Sequence, residues 1–127
     1  MKAVDPTTAP HPRPASDARG LWAGVLGPPL LWLIHLLVNY IIVPLACRRD
    51  ASVIVHGATL LAILGAAAMG LFALARWRRA GREWPDDSAS VMSQDRFLAV
   101  SGMAMSAMIV AALIAQWLPT FFVDPCR

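Results

Sequence analysis

Three stretches of this chain contain no Asp, Glu, Lys or Arg: Gly20 to Cys47, Ala51 to Ala75, and Phe97 to Val123. A mostly apolar run of about 18 residues or more is long enough to cross the hydrocarbon core of a bilayer as a helix. All three runs exceed that length, and together they take up most of the 127 residues. Composition agrees: 57% of the residues are hydrophobic, 15% are charged and the mean hydropathy is +0.56, whereas a soluble domain carries about 25% charge. A soluble enzyme, a secreted disulfide scaffold and a disordered chain are thereby excluded. The length allows one domain.

The expected fold class is all-α, an integral membrane protein with three transmembrane helices over about residues 21–46, 53–74 and 97–123. Strands are excluded, because an open sheet edge cannot sit in lipid. The segment Cys47–Ser52 is so short that the first two helices must form an antiparallel hairpin, with the third helix added to it. Residues 19–127 then form the transmembrane domain. Residues 1–18, with Pro6, Pro10, Pro12 and Pro14 and little hydrophobic content, are expected to be a disordered tail. Within the polar 77–95 segment, Asp86, Asp87 and Ser88 offer caps for an early start to the third helix near Ser88. Gly27-Pro28-Pro29 should kink the first helix or begin its regular part, since proline removes a backbone donor. A cleaved signal is disfavoured, because the first run is far longer than the roughly 7–15 residues of a signal's apolar region. Leu45-Ala46-Cys47 vaguely resembles a lipoprotein cleavage site, but Pro44 stands where a large aliphatic belongs.

Orientation follows from the basic residues in short loops. Lys2, Arg13, Arg19, Arg76, Arg78, Arg79, Arg82 and Arg96 fall on one face, and Arg48, Arg49 and Arg127 on the other. The expectation is a cytoplasmic N-terminus and a periplasmic C-terminus in a bacterial inner membrane. Trp22 and Trp77 then lie at the inner interface. Tyr40, Trp117, Phe121 and Phe122 lie towards the outer one, the depth amphipathic rings prefer. The sequence pI of about 9.5 reflects lipid-facing loops, and no nucleic-acid motif accompanies it.

Between helices in lipid, close backbone approach and polar contacts replace the hydrophobic drive. Ala58, Ala62, Ala66 and Gly70 are spaced four apart in the second span, as are Ala107, Ala111 and Ala115 in the third, with Gly102 and Ser106 on a neighbouring line. These stripes suit tight packing of the second helix on the third; simple alanine richness is the bland alternative.

Four groups of residues carry possible chemistry. Cys47 and Cys126 each follow a helix, on the expected outer surface, where disulfides persist. A bridge is the favoured reading, with two unrelated thiols or a redox-active or copper-binding pair as alternatives; no C-x-x-C is present. His35 lies near mid-membrane with Asn39 one turn later and Trp32 three residues before it, and intramembrane ionisable groups usually face protein or water. Tyr40, His56, Thr59 and Gln116 are the other polar groups of the outer half. Three readings of this set stay open: an interhelical hydrogen-bond cluster, a contact to a larger membrane partner, and haem or metal ligation by His35 and His56. The last is limited by their offset in depth and by the small number of ligands. Met103, Met105 and Met108 offer thioethers for Cu(I), but positions 103 and 105 point apart, and methionine also fills apolar space. No acid lies within a span, which argues against a proton-coupled exporter. No phosphate loop, H-E-x-x-H or nucleophile elbow occurs either, so the expectation is a protein without enzyme activity.

Three segments taken together carry a resemblance. They are Gly27-Pro28-Pro29-Leu30-Leu31-Trp32 with His35, Tyr40 and Pro44-Leu45-Ala46-Cys47; Arg96-Phe97-Leu98-Ala99 with Gly102; and Gln116-Trp117-Leu118-Pro119 ending in Asp124-Pro125-Cys126. Over roughly residues 20–127 the chain resembles small three-span bacterial inner-membrane proteins encoded beside haem–copper cytochrome c oxidase genes. That family brings no activity to transfer and assigns no catalytic residue. The resemblance implies a non-catalytic accessory or assembly role in a respiratory cytochrome oxidase complex, with lipid and the oxidase as partners and no cofactor of its own. Two alternatives stand beside it: a haem- or copper-handling redox protein using the outer His/Cys cluster, and a self-associating helical bundle, a homo-oligomer with no oxidase link.

Overall fold

A computed structural model describes residues 15–49, 52–85 and 91–123. Among these residues all regular structure is helical: α1 (Ala15–Arg48), α2 (Val53–Arg79), α3 (Val91–Trp117) and a closing 3-10 turn, Leu118–Phe121. All three helices are long and apolar enough to cross a membrane. At about 1.5 Å per residue, α2 and α3 each reach about 40 Å, enough for the ~30 Å hydrocarbon core and part of both headgroup layers. Contacts fix the topology. Along α1, Gly27 faces Met69 and His35 faces Thr59, so rising numbers on α1 meet falling numbers on α2. Gly70 faces Ser106 and His56 meets Trp117, so α2 and α3 are also antiparallel. The chain forms an up-down-up bundle in which each helix touches both others.

Helix ends differ from the sequence expectation in explicable ways. α1 starts at Ala15, before the expected Leu21, so residues 15–18 belong to the helix and not to a tail. Adding a turn to an existing helix costs little once the apolar run has nucleated it, and Ala15–Ala18 contains no glycine or proline. Residues 1–14, where the rest of the expected tail falls, lie outside the described residues, as do the capping candidates Asp86, Asp87 and Ser88. Pro28 and Pro29 sit inside α1 and do not begin it. α3 runs from Val91 to Trp117 where about 97–123 was expected. Its end is set by Pro119, which has no N–H to continue the ladder and instead enters the first turn of the 3-10 segment.

α2 ends in a glycine cap. Gly81 takes φ +93, a left-handed conformation that glycine adopts without a Cβ penalty. The Gly81 N–H donates to the Arg78 carbonyl (3.4 Å) and the Arg82 N–H to the Trp77 carbonyl (3.3 Å), the paired pattern that satisfies the last carbonyls of a helix. Arg76, Arg78 and Arg79 occupy the same last turn, where the helix dipole favours positive charge. Arg96 of α3 then straps the junction. Its Nε donates to the Ala80 carbonyl (3.0 Å) and its Nη2 pairs with Glu83 Oε2 at 2.8 Å.

The interior is built from small side chains. Ala62, Ala66, Ile109 and Leu113 form the central cluster, with Leu31, Trp32, Ile63 and Val110 around it. At Gly102 the backbones of α1 and α3 come close: a Cβ there would lie 3.1 Å from the Gly24 carbonyl oxygen and 3.3 Å from Ala73 Cβ. On α2 the expected stripe faces inward, with Ala62 and Ala66 buried and Ala58 and Gly70 half-buried. On α3 the stripe Ala107, Ala111 and Ala115 faces outward. The inward line is instead Ala99, Gly102, Ser106, Ile109 and Leu113. Outside the bundle, Leu26, Leu30, Leu37, Leu61, Leu64 and Leu71 are exposed, the surface that lipid covers.

Candidate functional site

Polar side chains in an apolar bundle must find partners or remain costly, so the site is best read by counting protons. His35 projects from α1 into the α1–α2 contact and is only 6% exposed. One helical turn on, Asn39 Nδ2 lies 2.9 Å from His35 Nε2. Which ring nitrogen of His35 carries the proton goes with the orientation of the Asn39 amide: Nε2 accepts when the amide nitrogen faces it and donates when the amide oxygen does. From α2, Thr59 Oγ1 lies 3.2 Å from the same Nε2 and also donates to the Val55 carbonyl at 3.0 Å. Thr59 has one proton, which the bond to the Val55 carbonyl takes. The back-bond to the preceding turn is how a threonine inside a helix satisfies its hydroxyl. Two buried atoms of the cluster have no partner, His35 Nδ1 and Asn39 Oδ1.

A second polar group closes the same end of the bundle. Trp117 Nε1 donates to His56 Nδ1 at 2.9 Å. The rings of His56, Trp117 and Phe121 lie against one another, with centroids 5.2 to 6.2 Å apart. Indole N–H is donor-only, so His56 here accepts at Nδ1 and holds its proton on Nε2. A third link joins α1 to α3, Trp32 Nε1 donating to Gln116 Oε1 at 3.4 Å.

The residues singled out from the sequence thus divide. His35, Asn39 and Thr59 form one cluster, His56 joins Trp117 and Phe121, and Gln116 joins Trp32. His35 and His56 use different partners, and neither hydrogen bonds the other. Tyr40 does not converge with them: it is 82% exposed on the outside of α1. It lies five residues past His35, which at 100° per residue places it about 140° around the helix. Trp117, expected only as an interface anchor, proves to be the partner of His56; the signal available was that both lie at the same end of adjacent helices. Met103 and Met105 are half-buried and Met108 is exposed. Cys47 is half-buried at the end of α1, and Cys126 lies outside the described residues. Among the described residues, no three of His, Cys, Asp and Glu come together in a way that could hold a metal ion.

Fold and site together define a multi-pass, three-helix membrane protein that buries a histidine-centred hydrogen-bond cluster where α1 meets α2. The chain matches no family model, no curated protein and no solved structure.

Proposed function

We propose that this chain is a non-catalytic accessory or assembly component of a larger membrane complex, and that the complex is a respiratory cytochrome oxidase. The observation that carries the first half is the outward line Ala107, Ala111 and Ala115 on α3. Small residues four apart let a second helix approach closely, which is the main means of helix association in lipid, and the bundle leaves this line uncovered by its own helices. The oxidase half rests on the resemblance of the three spans. Proposed with it are an inner-membrane location, a cytoplasmic N-terminus with the α2–α3 loop on the same side, and a Cys47–Cys126 bridge on the periplasmic side. The bridge would tie the end of α1 to the segment after α3.

Gentle detergent extraction from native membranes, followed by mass spectrometry of co-purifying chains, tests the assignment. Oxidase subunits are expected with the wild type and are expected to be lost from Ala111→Leu. Recovery of this chain alone as a larger homo-oligomer would replace the proposal with self-association. A Soret band in the purified protein that vanished on His35→Ala would replace it with haem handling. Non-reducing peptide mapping that found both thiols free would remove the bridge and leave the rest standing.

A further inference from the structure

Arg76, in the last turn of α2, is half-buried and reaches across to α1. Gly20 makes its seat: a Cβ there would lie 3.0 Å from Arg76 Nη2. The same guanidinium stands over the Phe72 ring, 5.2 Å from its centroid, where the ring's quadrupole attracts a cation. Inward the way is closed. Gly20, Gly24, Ala73, Leu98 and Ala99 leave a cavity of only about 10 Å³ beside Arg76 and Phe72, with no other polar side chain on its wall. That is at most the room for one water, and a buried water needs two or more polar partners. A guanidinium has five N–H donors to satisfy. Among the described residues no acceptor holds the Arg76 side chain, and the ion pair at this end belongs to Arg96 and Glu83. Arg19 adjoins the seat, and Arg79 follows Arg76 by three residues on the same side of α2; both are exposed. Further into the span the α1–α2 face turns apolar, with Ala23, Ala68 and Phe72 exposed.

We propose that this groove holds one anionic phospholipid, its phosphate on the Arg76 guanidinium with Arg19 and Arg79 beside it, and its acyl chains along Ala23, Ala68 and Phe72. Charge complementarity names the head. Arg19, Arg76 and Arg79 stand here unpaired with any described acid, and the planar fork of arginine matches phosphate oxygens two at a time. The apolar face names the tails, because a soluble anion would leave it bare. Depth agrees, since an arginine near the end of a span carries its charge at the headgroup layer. Trp22 and Trp84, exposed at the same end, are the rings that prefer that layer. A basic pocket between helix ends is a known form of lipid-head site. Gly20 and Phe72 are positioning residues: they hold the guanidinium in one place, so less freedom is lost when the phosphate binds. The site depends neither on which side of the membrane this end faces nor on which complex the chain joins.

The test uses the full chain in neutral detergent micelles. Native mass spectrometry follows binding of single dioleoylphosphatidylglycerol molecules against dioleoylphosphatidylcholine, which has the same chains and no net charge. The wild type is expected to hold the anionic lipid about tenfold more tightly, the value of one charge-assisted hydrogen bond. Arg76→Gln should remove that preference. Arg78→Gln deletes the same charge from the opposite side of α2, about 200° around the helix, and should leave the preference standing. Gly20→Ala keeps every charge and pushes aside only the flexible end of Arg76; a loss of intermediate size is expected. Helical circular dichroism shows that each variant is folded. Equal affinities for the two lipids in the wild type would overturn the proposal without any variant. Equal losses from Arg76→Gln and Arg78→Gln would replace the site with diffuse attraction by net charge. A preference indifferent to Gly20→Ala would overturn the seat on α1. Displacement of the lipid by millimolar glycerol phosphate would make the occupant a free phosphate ester. An acidic side chain of a co-purifying protein found bonded to Arg76 would overturn the lipid assignment.

Discussion

The two ends of this bundle are held by different means. At the end that carries the α2–α3 loop, helices meet through missing side chains: Gly102 stands against the Gly24 backbone and Ala73. Arg96 there reaches across to the Ala80 carbonyl and Glu83, completing the cap of α2. At the end that carries the α1–α2 turn, helices meet through hydrogen bonds from His35, Asn39 and Thr59, and from His56 and Trp117. That end leaves His35 Nδ1 and Asn39 Oδ1 unpartnered. A stretch built on backbone approach depends on the absence of volume, and one extra methyl is felt there. A stretch built on polar pairs tolerates changes of volume better, because interhelical hydrogen bonds in membranes are individually modest, about 0.6 kcal/mol. The first end is held by close backbone approach and a capped helix terminus, and the second carries the polar pairs.

The largest effect expected from a single change tests that division. Gly102→Leu places a side chain where the Gly24 carbonyl and Ala73 leave no room. Backbone cannot retreat as a flexible side chain can, so the cost should be about 3 kcal/mol, at the upper end for overpacking. Reversible unfolding in mixed detergent micelles measures it. A loss no larger than that of Thr59→Val would break the comparison. Arg96→Met comes next: it removes a charge-assisted bond to a helix-terminal carbonyl and should cost about 1.5 kcal/mol. Thr59→Val keeps shape, removes one hydroxyl from the His35 cluster and should cost about 0.6 kcal/mol. If Thr59→Val proved costlier than Gly102→Leu, the polar end would be the structural one.

Particular residues show how much of this was legible beforehand. The three uncharged runs give the three spans, because lipid leaves a helix as the only way to satisfy every backbone group. The pairing of His35 with Asn39 follows from their four-residue spacing on one helix. On α3, Gly102 and Ser106 face inward as their line suggests, whereas Ala107, Ala111 and Ala115 do not, for a geometrical reason. Four residues turn a helix by about 400°, so a strict every-fourth line drifts some 40° per step around the axis. The line that keeps facing its neighbours alternates steps of three and four, as Ala99, Gly102, Ser106, Ile109 and Leu113 do. On α2 the same drift explains why Ala62 and Ala66 are buried while the ends of their line, Ala58 and Gly70, are half-exposed. Tyr40 failed to join the cluster on the same arithmetic. The strap from Arg96 was not readable at all, because it needs the left-handed turn at Gly81 to bring the Ala80 carbonyl within reach, and sequence spacing alone does not supply that geometry.

The smallest effect is the most discriminating test of what Arg96 does. Two partners hold its guanidinium, the Ala80 carbonyl at 3.0 Å and the Glu83 carboxylate at 2.8 Å. The shorter contact is not the stronger support, because the Glu83 side chain is 72% exposed while that of Arg96 is 12% exposed. An ion pair with one partner in water gains little and is screened by salt. The carbonyl bond satisfies a helix-terminal acceptor that otherwise has no partner within its own helix. Glu83→Gln should therefore change stability by under about 0.5 kcal/mol, and that small change should vanish in high salt. The larger cost of Arg96→Met should persist there. Equal costs for the two variants, fading together as salt is added, would make the loop end an electrostatic clasp instead of a capped helix terminus.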